Sequence, residues 1–350
     1  MSEMDLLQEL IVVSEKAANV ARLCRQNDHL FQLLIQKKRP DEANPRFVDD
    51  FKTLADVLIQ QLVKHDVGSR FPKLRDSIFG EENNIFSNKL GETIAVEVRN
   101  NQQETADLLQ VVLNEDAQAA ELLAAEVHRE VFLDDVNTKR PTGDFRVCLE
   151  DLGIWIDPID STAEYINGIE EVAACGISVS GLKCVTVLIG AYDKKTGLPL
   201  VGVVNQPFAN YSENKWTGLC FWGVPSGTSL PPAPPPSRTI CVSSSENRDV
   251  TLKLERTGYK IVEASGAGYK ILAVITGLAD AYVLTRDSTF KWDTCGPQAI
   301  LRALGGDVVV CSRVGESVTY GDSRGDSCNR GGVVAYKEPK VLEDIVKCLA

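Results

Sequence analysis

Asp157 and Asp160 stand three residues apart in Gly153-Ile154-Trp155-Ile156-Asp157-Pro158-Ile159-Asp160-Ser161-Thr162. The apolar run Ile154 to Ile156 reads as the end of a buried strand, and Pro158 prevents that strand from continuing in regular pairing. Ser161-Thr162-Ala163-Glu164 then opens a helix, with Ser161 and Glu164 at capping-box spacing. Two carboxylates at a strand exit, beside the backbone N–H groups of a helix start, make a place for cations next to a phosphate. Read alone, the same residues also describe a capped turn with two solvated acids. Matching pieces elsewhere favour the chemical reading. Glu81 and Glu82 follow the short apolar strand Ser77-Ile78-Phe79-Gly80, and Asp293 sits at a helix entrance in Ser288-Thr289-Phe290-Lys291-Trp292-Asp293. Asp293 would also serve as a plain N-cap, as would Asp49 or Asp50 ahead of the helix bearing Leu54, Val57, Leu58 and Leu62. In Ala264-Ser265-Gly266-Ala267-Gly268-Tyr269-Lys270, small residues at a helix entrance let an anion reach backbone N–H groups, and Lys270 adds a point charge.

A chain of 350 residues exceeds the usual size of a single core, so two packed subdomains are expected. Residues 1–224 form an α+β part holding most of the acids, with a helical insertion at about 100–145. Within it, residues 4–36 and 104–127 are helical by period, and residues 91–98 read as a β segment. Lys183 to Tyr192 and Leu200 to Pro207 pair as a hairpin around Asp193-Lys194-Lys195-Thr196-Gly197. The Pro-rich segment 225–237 is a linker, and residues 238–350 alternate strands with helices as layers on a sheet would.

The net charge of -12 excludes nucleic acid as the expected partner, because phosphate backbones demand basic surfaces. A small phosphorylated substrate stays open, since bound cations invert the local field. No apolar stretch reaches the roughly 20 residues that span a bilayer. Met1-Ser2-Glu3-Met4-Asp5 lacks the basic start of a signal peptide, so a cytoplasmic location is expected. The ten cysteines include no C-x-x-C pair and read as reduced thiols. His29, His65 and His128 lie too far apart in sequence to suggest a histidine metal site.

Taken together, Asp157-Pro158-Ile159-Asp160-Ser161-Thr162, Gly80-Glu81-Glu82 and Trp292-Asp293 resemble the lithium-sensitive, magnesium-dependent phosphomonoesterases. That family includes inositol monophosphatase, fructose 1,6-bisphosphatase and the bisphosphate nucleotidases. Asp50-Phe51-Lys52-Thr53-Leu54-Ala55-Asp56, the run Gly181 to Gly190 and the long insertion between Glu82 and Gly153 resemble its inositol polyphosphate branch. Asn247 stands where that branch is expected to carry lysine, and Thr294-Cys295-Gly296-Pro297 is nearer the nucleotidases.

The resemblance implies an α/β fold, a layered αβαβα sandwich. It implies removal of the 1-phosphate from inositol 1,4-bisphosphate and inositol 1,3,4-trisphosphate in inositol phosphate signalling, by a monomer inhibited by Li+. Two to three Mg2+ ions are implied. Glu81, Asp157 and the Ile159 carbonyl would hold one, and Asp157, Asp160 and Asp293 the second. Asp50 would place a weaker ion near the nucleophilic water, which Thr162 and Glu81 would orient. Asp160 and the N–H groups of Ser161 and Thr162 would meet the substrate's scissile end. Ser245, Asn247, Gly266, Ala267, Lys270 and Ser288 would hold the ring or remote phosphates. The competing readings are a 3′(2′),5′-bisphosphate nucleotidase and a non-catalytic inositol phosphate-binding protein.

Overall fold

The computed structural model describes residues 3–37, 51–87, 91–142, 147–230, 237–313, 315–321 and 326–349. Helix α1 (Glu3–Gln26) buries Leu6, Leu7, Leu10, Ile11, Ala17 and Val20 at 0% exposure, while Leu23 is partly buried. The continuous helix expected to residue 36 breaks at Asn27. Its side chain accepts from Leu30 N and starts a separate α2 (Asp28–Leu34). α3 (Leu54–Arg70) begins at Thr53 in a reciprocal capping box with Asp56. α1 and α3 pack together and cover one face of a six-stranded sheet.

That sheet runs in sequence order: β1 (Ile78–Gly80), β2 (Leu152–Asp160), β3 (Thr186–Asp193), β4 (Pro199–Ser212), β5 (Lys215–Val224) and β6 (Gly227–Thr228). β1 is parallel to β2 and the other pairs are antiparallel, including the expected β3–β4 hairpin. Alternation along β2 sorts its side chains. Leu152, Ile154 and Ile156 enter the core beneath α1 and α3, while Trp155 enters the core on the opposite face.

The insertion folds as two helices, α4 (Gln102–Val112) and α5 (Ala117–His128). The single helix expected there is split where Asn114 and Glu115 turn to positive φ and Asp116 caps the second helix. Of the β segment expected at 91–98, only Thr93–Ala95 is strand, paired with Ile85–Ser87. His128 is satisfied by Thr105 Oγ1 at 2.8 Å. Part of the Pro-rich segment, 231–236, falls outside the described residues.

A second sheet has the order β8-β7-β9-β11-β10, where β7 is Thr239–Val242, β8 Lys260–Glu263, β9 Ala281–Leu284, β10 Asp307–Val310 and β11 Val333–Tyr336. β7, β8 and β9 are parallel, and β11 runs against β9 and β10. Helices α7 (Arg248–Arg256) and α10 (Pro339–Leu349) cover its outer face through Leu254, Val341 and Ile345. Between the two sheets lie α8 (Ala267–Thr276) and α9 (Lys291–Ala303), giving the layers αβαβα.

The α9 contact is unusually close. A Cβ on Gly296 would stand 2.7 Å from Ile189 O, and one on Gly202 would stand 2.9 Å from the Ala299 Cβ. Helix backbone therefore rests on strand backbone with no side chain between them. All ten cysteines are free thiols. Among the described residues no helix is long and apolar enough to cross a membrane.

Candidate active site

The strand that carries the first two acids is irregular where they sit. Asp157 lies opposite Leu188 and Asp160 opposite Thr186, so three steps on β2 match two on β3. In a regular strand, residues three apart point to opposite faces. The extra residue of this bulge, placed at Pro158-Ile159, lets both carboxylates serve the same site.

Asp293 joins them from the first turn of α9, where its Oδ2 accepts from Phe290 N at 2.6 Å. Carboxylate oxygens of Asp157, Asp160 and Asp293 all lie within 4.8 Å of one another, and all three residues are buried. Burial pushes each toward the protonated form. For Asp157 the charges of Glu81, Asp160 and Asp293 push further the same way. For Asp293, burial and the neighbouring Asp160 move the pKa up to about 8. Asp160 is partly relieved by the Lys270 ammonium and by backbone N–H groups. Asp157 Oδ1 is buried without any hydrogen-bond partner. An orphaned oxygen among crowded buried acids fits a dication, and an all-oxygen donor set suits a hard one.

Glu81 follows β1, and its N–H donates to Ile156 O at 3.2 Å. Its charge reaches Asp157, although it does not belong to the tight trio. Thr162 opens the short helix α6 (Thr162–Asn167), with its Oγ1 3.2 Å from Ile159 O and 3.4 Å from Asp56 Oδ1. Asp56 is fully buried, and its other oxygen accepts from Thr53 N at 2.7 Å and Thr53 Oγ1 at 2.6 Å. Asp56 was not among the residues singled out by sequence. Beyond ending the run Asp50 to Asp56, it is marked locally by the Thr53-x-x-Asp56 capping spacing, which any ordinary helix start would also show. Asp50 lies outside the described residues.

The capping box expected between Ser161 and Glu164 does not form. Ser161 adopts φ +76° and makes no side-chain cap. Glu164 instead accepts from Gly181 N at 2.7 Å and Ser265 Oγ at 2.8 Å, tying α6 to the loop before α8. That loop does receive an anion, and the anion is Asp160. Ala267 N and Gly268 N donate to its two oxygens at 3.3 and 2.9 Å, just past Gly266.

The remaining candidates are more dispersed. Lys270 is 2% exposed, donates to Ala264 O at 2.9 Å and lies over the Tyr282 ring. Its ammonium is thus turned into the core, acting on Asp160 through charge. Ser288 Oγ is buried without a partner, two residues before the Phe290–Trp292 stack, and Trp292 in turn lies 5.9 Å from Trp155. Ser245 Oγ stands 3.2 Å from Ser243 Oγ. Asn247 caps α7 by accepting from Asp249 N at 2.9 Å. It lines a cleft of about 360 Å³ with Thr285, Ser312 and Gly331, whose wall contains none of the clustered acids.

Residues 6–348 match the model of the inositol monophosphatase family. An inositol polyphosphate 1-phosphatase of Mus musculus is 43% identical over 385 residues, spanning 99% of this chain and 97% of the relative. A 3′(2′),5′-bisphosphate nucleotidase 1 of Rattus norvegicus is 32% identical over 315 residues, spanning 86% of this chain and 85% of the relative. Among solved structures, the extragenic suppressor protein suhB of Bartonella henselae superposes with a TM-score of 0.57 at 14% identity, covering 99% of this chain and 98% of its own. With the layered fold and the acid cluster in place, these matches lead to one statement: the chain belongs to the inositol monophosphatase family.

Proposed function

We propose that the protein is a magnesium-dependent phosphomonoesterase that removes the 1-phosphate from inositol 1,4-bisphosphate and inositol 1,3,4-trisphosphate. The observation that carries this reading is the convergence of Asp157, Asp160 and Asp293 on one point beside a Thr162–Asp56 hydroxyl–carboxylate pair. A protein that only bound inositol phosphates would need neither the pair nor such crowding of acids. The 43% identity to a curated inositol polyphosphate 1-phosphatase over 99% of the chain supports the same substrate class.

Phosphate monoesters resist hydrolysis so strongly that a site must neutralise a dianion and deliver water in line. Glu81, Asp157, the Ile159 carbonyl, Asp160 and Asp293 would hold two Mg2+ ions, with a third, weaker ion assigned to Asp50. When bound, the ions supply Lewis acidity toward the phosphoryl oxygens and lower the pKa of water. The chain does the rest. Thr162 Oγ1 donates toward Asp56, which leaves its lone pairs to accept a proton from the attacking water. Thr53 holds the far oxygen of Asp56, so the carboxylate presents Oδ1 to Thr162. Backbone N–H groups at the Ser161–Thr162 start of α6 have no partners within the helix and would receive phosphate oxygens. The α8 amides keep Asp160 in place through the cycle. Ser288, whose hydroxyl is buried without a partner, would be one substrate contact; Gly266 and Ala267 at the start of α8 and Ser245 between β7 and α7 would be others. The protein would act as a cytoplasmic monomer and be inhibited by Li+ most clearly at high substrate.

Product analysis by NMR with inositol 1,4-bisphosphate tests the reading. Inositol 4-phosphate should accumulate only with Mg2+; inositol 1-phosphate as product would overturn it. The nucleotidase reading draws on the 32% identical relative and on Thr294-Cys295-Gly296-Pro297. Preferential turnover of adenosine 3′,5′-bisphosphate would establish it instead.

A further inference from the structure

Gln60 lies one helical turn beyond Asp56 on the same face of α3 and is fully buried. Its side-chain amide pairs with the backbone of Glu82 in both directions. Glu82 N donates to Gln60 Oε1 at 2.9 Å, and Gln60 Nε2 donates to Glu82 O. This is the pattern a neighbouring strand would supply. Among the described residues β1 pairs with β2 alone, so a strand neighbour lies on one side of it. On that side Glu81 N donates to Ile156 O at 3.2 Å. Gln60 takes the other side, and residues 80–82 are held from both.

The residue at position 80 belongs to the same device. A Cβ on Gly80 would stand 2.6 Å from Gln60 Cδ and would also meet its Oε1. Only glycine lets the amide come close enough to pair. The hydrogen bonds of the Gln60 side chain go to the Glu82 backbone, and no sequence signal beyond its four-residue spacing from Asp56 marks it.

We propose that Gln60 is a positioning residue for Glu81, its amide clamping the Glu82 backbone and thereby setting the direction in which Glu81 enters the acid site. The inference rests on the metal reading given above. One face of α3 then serves both halves of the site: Asp56 orients Thr162, and Gln60 orients Glu81.

The test is direct metal binding to the full-length protein, read from free Mn2+ by electron paramagnetic resonance. Gln60→Met keeps the side-chain length and removes both hydrogen bonds. Gly80→Ala leaves Gln60 intact but intrudes on its amide, with a remaining approach of 3.1 Å to Ile156 O. Each variant should weaken Mn2+ binding by about 10-fold or more, the usual effect of losing a partner behind a metal ligand. The Mg2+ concentration for half-maximal turnover should rise in parallel, with kcat at saturating Mg2+ nearly unchanged. A folded Gln60→Met protein with lowered melting temperature but wild-type Mn2+ affinity would make Gln60 a packing residue and overturn the proposal. Should Gln60→Met fail to fold, wild-type Mn2+ affinity in Gly80→Ala would overturn it equally. A wild-type protein that binds no Mn2+ would refute the metal reading itself, and this inference with it.

Discussion

Asp157, Asp160 and Asp293 illustrate what a residue costs its fold when it is placed for chemistry. Each is buried beside like charges, and Asp157 Oδ1 has no partner at all. Such groups are tolerated where a cation is meant to sit among them. Asp157→Asn and Asp293→Asn should each abolish Mg2+-dependent turnover. Asp293→Asn should nevertheless melt no lower than wild type without metal, because it removes a carboxyl whose ionisation is disfavoured there and keeps an oxygen for Phe290 N. Turnover assays paired with thermal melts check both halves; Mg2+-dependent activity in either variant would remove that residue from the metal site. Thr162→Ala should lower kcat by roughly 10²-fold with little change in KM, the scale of general acid–base assistance. If Asp56 acts through Thr162, Asp56→Asn should lower kcat similarly, and the double variant should be little worse than either single. Steady-state kinetics on the three proteins decide it, and additive losses would separate the two residues.

Among the elements, α9 governs the most. It carries Asp293 to the site and does so while lying backbone to backbone on β3 and β4 through Gly296, Gly190 and Gly202. Adding one methyl at Gly202 must lift the helix, since the obstructing atoms belong to helix backbone and to the Ala299 Cβ. Gly202→Ala is expected to destabilise by about 1–3 kcal/mol, as overpacking does, and to raise the Mg2+ requirement because Asp293 moves with α9. Gly227→Ala on the same sheet meets nothing within 4 Å and should change stability by less than about 0.5 kcal/mol. Urea denaturation of both variants measures the contrast. The β2 bulge is the other element-level device. Without it Asp157 and Asp160 would face opposite sides of the sheet.

For the whole molecule, the buried acids set how stability responds to pH. Their folded pKa values lie above the ordinary carboxylate value of about 3.9, with Asp293 at about 8. Between those limits the metal-free folded state binds more protons than the unfolded chain, so its stability falls as pH rises. Depressed carboxylates such as Glu150, held at about 2 by Lys73, act below the ordinary value and outside that window. The melting temperature of the metal-free protein should therefore drop between about pH 5 and about pH 8, and Asp293→Asn should flatten the drop. Mg2+ should raise the melting temperature more at the upper pH, where the acids are ready to receive it. A wild-type slope no steeper than that of Asp293→Asn would contradict this account.

What the amino-acid order alone determined is local. Helical periods mark the buried residues of α1 and α3, turn residues mark strand ends, and acids at a strand exit and a helix entrance mark Asp157, Asp160 and Asp293, which the fold brings together. These signals survive in sequence because each depends on neighbours within a turn or a strand. The tertiary structure decided everything that joins distant residues. Asp56 reads locally as the acid of a capping box, and it is that; only packing reveals Thr162, 106 residues away, beside its other oxygen. Lys270 looked like a point charge for a ligand, yet the second sheet places the Tyr282 ring and the first places Asp160 within its reach. Glu164 was taken from Ser161 by Gly181 and Ser265, partners that a helix-start rule has no means of counting. In each case one polar group had several chemically adequate partners, and the close packing of five layers chose among them.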